Sequence, residues 1–181
     1  MIWLLLGLAL WSGVHLFKRI APERRAARGD KAKGPIALAL IASIVLMVIG
    51  FRAWDGTVYW GRSPAMTGIN NLLMLLSFYL FAASGKGTRI TRAIRHPQLT
   101  AVIVWSVGHL LVNGDTPSFL LFGGLAIWAV VEMIVINRAH GPRRDYHAPP
   151  IKSEVIAVVA TVVVFAITAA IHIWLGYNPF G

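Results

Sequence analysis

Long apolar blocks parted by short basic connections leave this chain few ways to fold. The blocks cover residues 2–17, 35–51, 68–83, 97–113, 118–136 and 154–175. Each is long enough, or nearly so, to cross a hydrocarbon core as a helix, which takes about 20 apolar residues. Backbone inside lipid must satisfy its own N–H and C=O groups, so only helices or a closed barrel can span it. A barrel would show alternating segments of about ten residues, and none is present. Only 13% of the residues are charged, against about 25% in a soluble domain. The expected fold is all-α: a polytopic membrane helix bundle of about six transmembrane helices, forming a single domain over residues 1–181.

Charge placement orients that bundle. The chain carries 17 Lys and Arg against 7 Asp and Glu, for a net charge of +10. All but Arg52 and Arg62 of the 17 fall in three connections, residues 18–33, 84–95 and 137–153. Such asymmetry is the positive-inside signal. It predicts both termini outside, in the periplasm if the membrane is a bacterial inner membrane. Basic residues confined to connections read as topology signals and contacts to anionic membrane lipids, not as a nucleic-acid surface. The first block has neither a basic leader nor a small-residue cleavage site before Lys18, so it is expected to remain as a helix. The absence of cysteine excludes disulfides, thiolate metal sites, cysteine nucleophiles and thiolate-ligated haem.

Polar residues within the blocks point to faces. Gly7, Trp11, Ser12 and His15 fall on less than half of one helix circumference and should face the bundle interior. Gly123-Gly124 permits a close helix contact. Asn70 and Asn71 are expected at the interface. Trp54, Tyr59 and Trp60 read as an interfacial aromatic belt, or alternatively as a lid over a site. Arg89, Arg92 and Arg95 recur every three residues and, if helical, would share a face along the headgroups. His140 and His147 read as solvated and His172 as interfacial.

The stretch from Arg95 to Asp115 is the most informative. Arg95-His96-Pro97 leads into an apolar run that holds His109 and ends on Asn113-Gly114-Asp115. Arg95-His96-Pro97 suits either a plain helix start at headgroup level or a contact to an anion or a cofactor propionate. Within the run, Trp105-Ser106-Val107-Gly108-His109 matches Trp11-Ser12-Gly13-Val14-His15. In a helix Trp, Ser and His of this W-S-x-x-H pattern share one face. An ionisable group in such a stripe is a candidate functional site. A histidine there can ligate haem through one nitrogen while a neighbour fixes the other. It can equally make an interhelical hydrogen bond. The matching pentapeptides also make an inverted repeat of three helices conceivable.

The segments R-H-P-Q-L, W-x-x-x-H-L-L-x-N-G-D and S-F-L-L-F-G-G resemble the NnrU family of bacterial membrane proteins, as does the first helix with its histidine before a basic loop. The resemblance covers essentially the whole chain and is most specific between Arg95 and Gly124. That family includes 15-cis-zeta-carotene isomerase, a membrane enzyme with b-type haem. Its bacterial branch is associated by name with nitrite and nitric oxide metabolism. The resemblance implies a haem b cofactor with His15 and His109 as iron ligands. Arg95, His96, Trp105 and Ser106 are the expected surroundings of that cofactor. By depth along the helices, His109 with His172 or His15 with His96 would be better-matched pairs. Two functions follow as expectations. One is a haem protein supporting nitrogen-oxide metabolism. The other is a haem-dependent cis–trans isomerase of an apolar polyene that enters from the lipid. A third reading, a membrane methyltransferase, rests on the RHP tripeptide alone. The paired glutamate it needs is absent, since Glu132 is followed by Met133.

Overall fold

The computed structural model describes residues 1–141 and 149–181. Arg143, Arg144 and His147, counted above in a basic connection, lie outside the described residues. The helices are α1 (Ile2–Ile20), α2 (Pro22–Ala27), α3 (Lys33–Arg52), α4 (Pro64–Lys86), α5 (Pro97–Val112), α6 (Thr116–Ser118), α7 (Gly124–His140) and α8 (Ile151–Trp174). A π-helical turn at Phe119–Gly123 joins α6 to α7, so Thr116–His140 is one rod. Among the described residues, four helices are long and apolar enough to cross a membrane: those ending at Arg52, Gly85, His140 and Trp174. α5 is a shorter apolar helix of 16 residues. Large apolar side chains face outward along these helices, including Leu38, Leu72, Ile127 and Val158. Surfaces of that kind suit lipid contact, and the whole architecture fits a membrane protein.

Side-chain contacts fix the directions. Leu4 meets Gly50 and Gly7 meets Met47, so α1 and α3 are antiparallel. Ser77 donates to the Ala101 carbonyl and Asn70 reaches Gly108, so α4 and α5 are antiparallel. His96 bonds Asn137 while Trp105 meets Phe122, which sets α5 against the rod in the same sense. α1 runs parallel to the rod, with Leu8 on Gly124, Trp11 on Trp128 and Arg19 on Glu132. α8 returns along α4, from Glu154 near Tyr79 to Pro179 near Asn71. The described parts of the basic connections therefore gather at one end. Exposed Trp3, Tyr59, Trp60, Trp174 and Tyr177 gather at the other, where aromatic rings suit a membrane–water boundary.

The tightest seam is α1 on α3. A Cβ on Gly50 would stand 2.2 Å from the Leu4 backbone nitrogen. The core of Leu4, Leu8, Met47, Leu125, Trp128 and Ala129 grows from that seam to α7. α4 begins at Pro64, with Ser63 capping the Met66 amide at 3.3 Å. That start is four residues earlier than expected, because the Ser-Pro pair supplies both a cap and a first-turn residue that needs no amide partner. Asn70 is consequently buried against α5 instead of lying at the interface. Asn71 donates to the Pro179 carbonyl.

The residue 52–67 segment forms a feature that periodicity does not announce. Val58–Trp60 pairs antiparallel with Gly114–Asp115 as a two-stranded sheet across the aromatic end. We label these strands β1 and β2. Trp60 lies over Gly114, where any side chain would strike the indole, and its Nε1 donates to the Leu110 carbonyl at 3.1 Å. Asp115 then caps the rod by accepting from the Ser118 amide at 2.8 Å. At the basic end, a 3₁₀ turn over Arg89–Arg92 leaves Arg89 and Arg92 exposed and lets Arg95 diverge from them.

Gly50→Ala should destabilise the fold by about 1–3 kcal/mol, because the clash is with backbone that cannot yield. Gly13 faces open space, so Gly13→Ala should be neutral or stabilising by about 0.5–1 kcal/mol. Thermal unfolding of both variants in detergent, followed by circular dichroism, measures the difference.

Candidate functional site

A cavity of about 920 Å³ lies between α1, α3, α4, α5 and the rod. It extends along the rod from Leu121 to Ile136, a length of about 22 Å at 1.5 Å per residue. α3 packs on α1 and scarcely touches α4. Ile44 and Val48 of α3 and Phe78 and Phe81 of α4 therefore frame an apolar opening in the side of the bundle. Lys18, Arg19, Arg95 and His96 border the cavity at its basic end.

The matching pentapeptides build matching structures. His15 Nδ1 lies 2.9 Å from the Trp11 carbonyl, and His109 Nδ1 lies 3.0 Å from the Trp105 carbonyl. A carbonyl only accepts, so Nδ1 carries the proton in each and Nε2 keeps its lone pair. Each imidazole packs on its own tryptophan, at 4.3 Å for Trp11–His15 and 4.7 Å for Trp105–His109. Each also meets one ring from the rod. Trp128 lies 4.8 Å from His15, edge on, and Phe122 lies 4.6 Å from His109, stacked.

The same rod separates them. Phe122 and Trp128 are six residues apart, about 9 Å along the axis and well round the circumference. His15, Trp105, Arg95 and His96 border the cavity, whereas His109 and Ser106 do not. Ser106 is fully buried, with no partner for its Oγ. His96 caps α5 from outside its first turn, and its Nε2 lies 2.8 Å from Asn137 Oδ1. His172 and His140 each bond a carbonyl four residues back. No group of three or more His, Asp or Glu converges among the described residues.

One pair escaped the sequence reading. Arg19 Nε donates to Glu132 Oε1 at 3.1 Å across 113 residues of chain. Glu132 is buried, and its Oε2 has no partner. The indole Nε1 atoms of Trp11 and Trp128 are also buried and unpartnered. All three groups border the cavity. Polar atoms left unpaired in a low-dielectric site cost about 1–3 kcal/mol each, which a hydrogen-bonding occupant would recover. The signal was available: Glu132 is the one acid of its apolar block, and an intramembrane acid calls for a named cationic partner.

A family model described as NnrU protein matches residues 3–179 of the chain. No curated protein and no solved structure matches it.

Arg19→Met should cost about 3 kcal/mol, because it strands a buried carboxylate. Arg19→Met combined with Glu132→Leu should recover most of that loss. Thermal unfolding of the single and double variants in detergent completes the cycle, and purely additive losses would show that the two residues do not interact.

Proposed function

This chain belongs to the NnrU family, and from that premise we propose that it is a b-type haem protein of the bacterial inner membrane. In this reading six helices cross the bilayer with both termini outside, and the cofactor occupies the cavity beside His15. The carrying observation is a cavity that combines an imidazole with a free Nε2 and a basic end. Its volume lies within the range of about 300–1,000 Å³ typical of cofactor sites. Nine helical residues separate Trp128, beside His15, from Asn137, beside His96. We therefore assign His15 to the iron, and Arg95 and His96 to the carboxylates at the basic end. The Trp11 and Trp128 indoles hold the His15 ring in place, and Trp105 forms part of the wall. Bound there, haem would supply a redox-active iron.

α1 and α5 complete the six crossings in this reading, at about 28 and 24 Å. The shorter α5 packs on both α4 and the rod. The family's association with nitrite and nitric oxide supports a role for the haem in nitrogen-oxide metabolism. A second reading is favoured by the apolar opening between α3 and α4, which would admit a lipophilic polyene from the bilayer. Under it, the protein is a haem-dependent isomerase of a carotenoid such as 15-cis-zeta-carotene.

The purified protein, supplemented with haemin, should give a Soret band and a reduced-minus-oxidised b-type spectrum. His15→Ala should abolish the band. His96→Ala and Arg95→Ala should weaken haem binding about tenfold, near 1.4 kcal/mol, without moving the band. His109→Ala should leave it intact. Loss of haem in His109→Ala would instead support the His15–His109 pair, and absence of any band would overturn the haem reading. Conversion of 9,15,9′-tri-cis-zeta-carotene in a carotenoid-producing host separates the isomerase from the nitrogen-oxide role.

A further inference from the structure

A second hollow lies on the opposite side of α1 from His15. It holds about 710 Å³ between α1 and α3 and is closed at its basic end by the segment that links them. Its α1 wall runs from Ala9 through Gly13 to Phe17, and its α3 wall from Pro35 to Ala39. The eight helical steps from Ala9 to Phe17 span about 12 Å, close to the depth of one leaflet of a core about 30 Å thick. The walls carry no polar side chain until Arg28 and Lys31 at the closed end. The Arg28 guanidinium is held 5.4 Å over the Phe17 ring. Asp30 is taken up by Lys33 at 2.8 Å. Among the described residues, neither Arg28 nor Lys31 has an ion-pair partner.

We propose that this groove binds one anionic phospholipid, with an acyl chain along Ala9–Phe17 and the headgroup phosphate at Arg28 and Lys31. The depth, the apolar walls and the paired cations at one end match the three parts of such a molecule: chain length, chain chemistry and head charge. A second copy of the chain fits less well. It would bring its own basic segment to the same end, in a protein of net charge +10. The site is independent of the haem cavity, because Leu10, Gly13, Val14 and Phe17 line the groove while Trp11 and His15 line the cavity.

Native mass spectrometry tests the proposal on the full chain, released from micelles with equal palmitoyl-oleoyl phosphatidylglycerol and phosphatidylcholine. One phosphatidylglycerol per chain should be retained, with about tenfold preference over phosphatidylcholine. Arg28→Ala with Lys31→Ala should erase the preference. Gly13→Leu puts a side chain into the open groove and raises helix propensity, so the variant keeps its fold. It should lose both lipids although every charge remains. Arg24→Ala with Arg92→Ala removes two exposed charges from outside the groove and should change nothing. Equal retention of the two lipids overturns the proposal. So does equal loss in both double variants, or a dimer that Gly13→Leu dissociates.

Discussion

Water does not reach the middle of an apolar bundle, so each polar group there must find its partner in the protein. Most do so locally. Ser43, Thr161, His15 and His109 each bond a carbonyl three or four residues back on their own helix. These bonds cost no interhelical precision and let polar side chains sit anywhere along the inner faces. The groups that do not close locally are therefore informative. Ser77 closes on α5 and Asn71 on the chain terminus. Among the described residues Trp11, Trp128, Glu132, Asn70 and Ser106 leave atoms open, and the first three border one cavity.

The Thr116–His140 rod organises that cavity. Its π-helical turn sets Phe122 against Trp105 and His109. Six residues on, Trp128 meets Trp11 and His15. π-turns inside longer helices often mark functional regions. Here the turn changes the phase of the rod between its contact with α5 and its contact with α1. One element can thereby serve two imidazole–indole stacks on different sides, and it keeps them apart.

The architecture was legible where it depends on periodicity and charge. The apolar blocks, the shared face of Gly7, Trp11, Ser12 and His15, and the gathering of the described basic connections at one end all follow from residue spacing. The W-S-x-x-H pattern predicted a shared local geometry, and the two histidines have nearly identical settings. What spacing does not carry is depth and azimuth between helices. That information lies in contacts such as Gly50 on Leu4 and Gly124 on Leu8, which depend on which glycine meets which neighbour. Gly123 makes no such contact, though its sequence context equals that of Gly124. The β1–β2 pair was invisible because strands of two and three residues have no measurable period. The arginine triplet failed as one face because the 3₁₀ turn ends at Arg92, three residues before Arg95.

The Arg19–Glu132 contact also bears on biogenesis. Its partners are separated by 113 residues. At synthesis rates of about 5–20 residues per second, Arg19 waits roughly 6 to 23 s for Glu132 to be made. Until then the arginine sits at the end of α1 beside Lys18, where headgroups and water can solvate it. α1 and α3 can pair early, since their seam is short in sequence. The cavity cannot be complete before the rod arrives, so any occupant must load after most of the chain is already in place.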